Sequence, residues 1–254
     1  MESLAYIITP LLLVLLYYRS KQNLKEYEDF KKFKSTKQRQ TTYRRWVLES
    51  FLIFGVGAVG SLLLVGKLGV LPGLDISIKD FADSNKDKLG DFRIGNFGIV
   101  MLAGVVTGGV VGGVISGMKE KKTGKESGMV VAGDIEALLP RNSAEKVWAG
   151  LISINAGIVE ELFFRVLLPI LFFIIFQSVL AALILSAIVF GLLHWYQGLM
   201  GIMMTTVMGA VFTGAYLYSG NILVPMILHA LIDLNGLLLQ PVAQRFFKKL
   251  VLKR

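Results

Sequence analysis

The sequence predicts an all-α polytopic membrane bundle, and three observations carry that prediction. Hydrophobic residues make up 54% of the chain and charged ones only 18%, with mean hydropathy +0.62, more apolar than soluble domains are on average. Several apolar runs approach the ~20 residues that a membrane helix needs. Polar or charged stretches separate those runs, so the pattern gives about seven spans, with eight allowed.

The first run, "LAYIITPLLLVLLYY" at 4–18, lacks a basic stretch before it and a small-residue cleavage site after it, so it reads as a retained span rather than a signal peptide. A basic connector follows at 19–45 and predicts a surface helix. The second span covers about 46–70 and leads into a loop carrying Asp75, Asp80, Asp83, Asp87 and Asp91. A third span at 96–118 precedes "KEKKTGKESG". The fourth begins near Val147 and contains "GIVEELFFRVLL". Between 166 and 198 the pattern predicts one span plus a re-entrant or bent piece around Pro169. The last two spans cover 199–218 and 222–240, before the basic tail "RFFKKLVLKR".

Lysine and arginine concentrate in the 19–45 connector, the 119–146 loop and the tail. The positive-inside rule makes these cytoplasmic, with the C-terminus inside and the N-terminus outside. The net charge of +9 sits beside hydrophobic runs, which points to anionic lipid headgroups as partners and not to nucleic acid. Cysteine is absent, which removes disulfides, thiolate metal sites and cysteine nucleophiles together.

Two glycine patterns carry no chemistry. "GVGAVG", from Gly55 to Gly60, fits a dinucleotide-binding template, but no strand precedes it and it lies inside an apolar run. Gly104, Gly108 and Gly112 form a stripe with Gly109, Gly113 and Gly117 beside it, a small-xxx-small pattern of closely packed membrane helices.

Ionised side chains in a spanning segment are costly and rare, which singles out Glu160, Glu161 and Arg165. At about 100° per residue, Glu161 and Arg165 share a helix face and can form an ion pair. Glu160 points elsewhere. It must meet a wet cavity or another polar side chain, or take up a proton. Placing both acids at a helix end by the interface is less favoured, because apolar sequence continues on both sides. "FGLLH" puts Phe190 and His194 on one face, and "HALID" does the same for His229 and Asp233. That Asp can orient the imidazole or simply hold two helices together. Both histidines of the chain and the unpaired acid lie in its C-terminal half. A carboxylate and imidazoles around one wet pocket can activate water and stabilise an oxyanion.

Glu160-Glu161-x-x-x-Arg165, Phe190-x-x-x-His194 and His229-x-x-x-Asp233 resemble, in order and separation, the three motifs of the CAAX prenyl protease and bacteriocin-processing (Abi) membrane family, which includes the Ras-converting endopeptidases. The resemblance covers roughly 140–236. It implies a membrane-embedded endopeptidase with Glu160 and His194 activating water and His229 and Asp233 at the oxyanion. Glu161 and Arg165 would be supporting residues, and no cofactor or metal is implied. Many relatives end the third motif in Asn. An ionised Asp233 would repel an oxyanion, so it is either protonated or holds His229 as a cationic donor. Asn235, two residues on, faces away and is no substitute.

The implied organisation is a first span with its connector at 1–45, two spans with loops at 46–146, a catalytic core at 147–241 and a tail at 242–254. The implied substrate is a membrane-associated peptide or protein, in processing of prenylated proteins, bacteriocins or signal peptides or in self-immunity. The implied location is a bacterial plasma membrane. A zinc protease ligated by His194, His229 and an acid, a non-catalytic peptide-binding or immunity protein, and a proton-linked transporter stand as alternatives. The chain lacks H-E-x-x-H and G-x-S-x-G contexts.

Overall fold

The computed structural model describes residues 2–71, 73–85, 134–243 and 246, and every regular element among them is helical. In chain order these are α1 (Ala5–Lys32), α2 (Thr36–Ser50), α3 (Gly57–Leu64), α4 (Ile76–Ser84), α5 (Ser143–Glu161), α6 (Leu168–Phe176), α7 (Val179–Leu193), α8 (Gly198–Ser219) and α9 (Leu223–Leu234). π-helical turns at Phe51–Val56, Leu162–Leu167 and Asn235–Leu239 continue α2, α5 and α9 without a break.

Among the described residues four helical runs are long and apolar enough to cross a membrane: Glu2–Lys32, Thr36–Leu64, Trp195–Ser219 and Leu223–Ala243. Val179–Leu193 is apolar but shorter. About seven spans are therefore not reached among these residues. The span expected at 96–118, with its glycine stripe, lies outside the described residues, as do Asp87 and Asp91.

The 19–45 connector is helical but not one surface helix. Its first half continues α1 to Lys32, and its second half opens α2 after an extended break at 33–35. Polar contacts lock that break. Arg39 and Glu145, both fully buried, meet Nε to Oε2 at 3.0 Å. Arg39 Nη2 also donates to the carbonyls of Ala137 and Leu139, and Tyr43 donates to that of Leu138. The segment entering α5 is thus pinned onto α2. Asn142 then starts α5 by accepting the Glu145 N–H at 3.0 Å.

One face of α5 exposes Val147, Leu151, Ile154 and Ile158, a stripe suited to lipid. The opposite stripe, Ala149, Ser153 and Gly157, is buried, with α5 packed along α9 and against α2. The approach is close: a Cβ at Gly157 would lie 2.8 Å from Ala230 Cβ and 2.7 Å from the Met226 carbonyl. Gly55 plays a similar part, since a Cβ there would lie 3.1 Å from Val159 Cγ1. The "GVGAVG" glycines accordingly sit in helix, and of the three Gly55 is the packing position, since a Cβ at Gly60 would meet nothing within 4 Å.

Around Pro169 the chain is continuously helical. A π turn over Leu162–Leu167 leads into α6, which stops at Gln177 in the left-handed conformation, φ 51°. In that turn the Leu168 N–H bonds the Phe163 carbonyl, five residues back. The same register would ask residue 169 to donate to Phe164, and proline has no N–H. The Ser186 hydroxyl of α7 supplies that hydrogen bond instead, at 2.5 Å. Phe54, Leu62, Phe163, Phe164, Leu167 and Phe190 form the centre of the core around this turn.

Candidate active site

The end of α5 aims two consecutive glutamates in different directions. Glu161, fully buried, faces inward. Arg165 reaches back from the π turn, with Nε 3.0 Å from Glu161 Oε2 and Nη2 donating to Oε1 at 3.3 Å. The shorter contact is an ion pair without hydrogen-bond alignment, since neither Arg165 Nε nor Glu161 Oε2 gains a bond from it. The predicted i,i+4 pair is present.

Glu161 has a second partner, which local periodicity did not give. Its Oε1 accepts from His229 Nδ1 at 2.8 Å. His229 Nε2 lies 3.7 Å from Asp233 Oδ2, within ion-pair reach but beyond a hydrogen bond. The orientation assigned in sequence to Asp233 is therefore set by Glu161. Aromatic rings enclose this cluster. Phe212 of α8 stacks on His229 at 4.9 Å and 18° between planes. The Arg165 guanidinium lies 4.7 Å from the Phe190 centroid and 5.6 Å from that of Phe212, a cation–π arrangement suited to a dry site.

Glu160 faces the other way. Its Oε2 is buried with no protein hydrogen-bond partner among the described residues. The side chain lines a cavity of about 150 Å³, which His194, Tyr196, Asn155, Ser50 and Trp46 also border. His194 ends α7, and its Nδ1 is 2.8 Å from the Phe190 carbonyl. A carbonyl only accepts, so Nδ1 carries the proton and the neutral ring keeps its lone pair on Nε2. That is the tautomer a base requires.

His229 and Asp233 do not line this cavity. Phe190 is what joins the two groups, with its ring centroid 4.8 Å from His194 and 6.0 Å from His229. All six predicted residues thus converge on one region from α5, its π turn, α7 and α9, with the Phe190 ring beside both imidazoles. Phe212 and Tyr196 were missed. Phe212 belongs to no charged or imidazole pattern, and Tyr196 stands outside the three motifs. Among the described residues no three histidine, aspartate or glutamate side chains are grouped as a metal site.

Apolar spans around a buried carboxylate–imidazole–guanidinium cluster define a helical integral membrane protein with polar chemistry at its core. Residues 142–235, which run from the cap of α5 to the end of α9 and include all six residues, match the family model described as Type II CAAX prenyl endopeptidase Rce1-like. No curated protein and no solved structure matches the chain.

Proposed function

We propose that the protein is an intramembrane endopeptidase that hydrolyses a peptide bond in a membrane-associated peptide or protein. One observation carries the reading: the unpartnered Glu160 carboxylate and the His194 ring, with its Nε2 lone pair, border the same cavity. Water held between them loses a proton to Glu160 as it attacks the peptide carbonyl carbon, with His194 orienting it. The carbonyl electron pair moves onto oxygen, where His229 stabilises the charge through Nε2. Collapse of the tetrahedral intermediate expels the amine, which takes the proton from Glu160. Asp233, 3.7 Å from that nitrogen, acts by holding His229 as a cationic donor.

The match over residues 142–235 supports peptide-bond hydrolysis as the reaction. Prenylated C-termini, bacteriocin precursors and peptide signals are the substrate classes proposed. A bacterial plasma membrane, a cytoplasmic C-terminus and anionic lipid at the basic segments complete the reading. Glu160→Gln tests it: cleavage of a lipidated peptide reporter should stop while membrane insertion and thermal unfolding are kept. Undiminished turnover in that variant removes the mechanism.

A further inference from the structure

An oxyanion site typically presents more than one aimed donor. Here His229 has one ring nitrogen committed to Glu161 at 2.8 Å, which leaves only Nε2. Backbone N–H groups around the site are largely consumed in helix. Several donors line the cavity, but Tyr27, Tyr43, Trp46, Ser50 and Asn155 already donate to protein acceptors. Tyr196, in the 3-10 turn after His194, lines it together with Glu160 and His194.

The Tyr196 hydroxyl oxygen accepts from Gln197 Nε2 at 3.0 Å, and its own proton has no acceptor among the described residues. Its ring is fixed edge-on against buried Tyr27, centroids 5.1 Å apart, and lies 6.0 Å from the His194 ring. The hydroxyl is therefore positioned by two neighbours yet free to donate.

We propose that Tyr196 is a catalytic residue, whose O–H donates the second hydrogen bond to the oxyanion formed when water adds to the peptide carbonyl. The role rests on the endopeptidase reading. No bond to Tyr196 forms or breaks: the phenol keeps its proton and the hydrogen bond strengthens as charge develops on oxygen. Substrate in its ground state gains little from it.

Tyr196→Phe keeps the ring on Tyr27 and removes the donor, together with the acceptor of the Gln197 hydrogen bond. In the full chain reconstituted in liposomes, kcat on a lipidated peptide reporter should fall on the order of 10²-fold, with KM unchanged. A phosphinic peptide, whose tetrahedral phosphorus mimics the intermediate, should lose inhibitory potency in the same proportion. Unchanged kcat, or a loss confined to KM, would overturn the role while leaving Glu160 and the hydrolytic reading intact. Absence of any cleavage by the wild-type protein overturns both. If the Phe variant does not fold, difluorotyrosine at 196 gives a second test. Its more acidic phenol should move the alkaline limb of the kcat profile to lower pH, and an unmoved limb counts against the role.

Discussion

Glu160 and Glu161 are neighbours in sequence with opposite surroundings. Glu161 has an arginine and an imidazole on its carboxylate and aromatic rings beyond them. Glu160 has a buried oxygen without a partner and a cavity in front of it. Removing one partner of a buried charge network leaves uncompensated charge, whereas removing a lone buried carboxylate leaves none. The two positions should therefore respond in opposite ways, one through fold and the other through turnover. Unpaired acids in well-packed proteins are retained for chemistry more readily than for stability, and this pair separates the two roles within two residues.

The largest effect expected is on turnover. Glu160→Gln should lower kcat by about 10²–10⁴-fold, the usual contribution of a positioned base, with no drop in melting temperature in detergent. A melting temperature that falls as much as that of Glu161→Gln would erase the contrast. Glu161→Gln is next. It leaves the fully buried Arg165 guanidinium without an anion, at a cost of about 3–5 kcal/mol, measured by thermal or denaturant unfolding. Its activity loss should track the loss of folded protein and the misplacement of His229. Wild-type-like stability in this variant would mean that Arg165 finds compensation elsewhere.

The helical period of 3.6 made the Glu161–Arg165 pair and the divergence of Glu160 legible, because both depend only on spacing along one helix. The Glu161–His229 bond joins positions 68 residues apart, and no local pattern encodes which helix faces which. Asp233 was the plausible partner of His229 by spacing and proved the more distant one. The glycine signal had the same weakness. Small residues recur in several helices of this chain, and the stripe of Ala149, Ser153 and Gly157 is sparser in glycine than the one at 104–117. Helix ends were not legible where charge and length disagree. α1 runs through the Arg19 to Lys32 stretch as a single helix because its charges pair with neighbours, Arg19 with Glu49 at 2.7 Å for one.

Gly157 sharpens the comparison from the side of packing. Gly157→Ala forces a methyl to within 2.8 Å of Ala230, so α5 and α9 must separate, at about 1–3 kcal/mol. Because α9 carries His229 and α5 carries both acids, turnover should fall further than unfolding free energy alone accounts for. Gly157→Ala with unchanged stability and unchanged kcat would show that the two helices are not held at this distance in solution.

Phe212 gives the smallest effect and the most specific one. Its ring stacks on His229 and borders the Arg165 guanidinium, but it touches no group assigned to water activation. Phe212→Leu keeps an apolar side chain of similar volume, so stability should change by less than about 1.5 kcal/mol. What it removes is the flat surface that, with the Glu161 hydrogen bond, fixes the His229 plane. The imidazole gains freedom to rotate about that bond, and Nε2 loses its aim. If His229 acts on the oxyanion, the variant should keep substrate affinity and lose kcat by about tenfold, since one weakly aimed donor is worth a fraction of a well-aimed one. If His229 serves only to hold α5 to α9, kcat should follow the small stability change and nothing more.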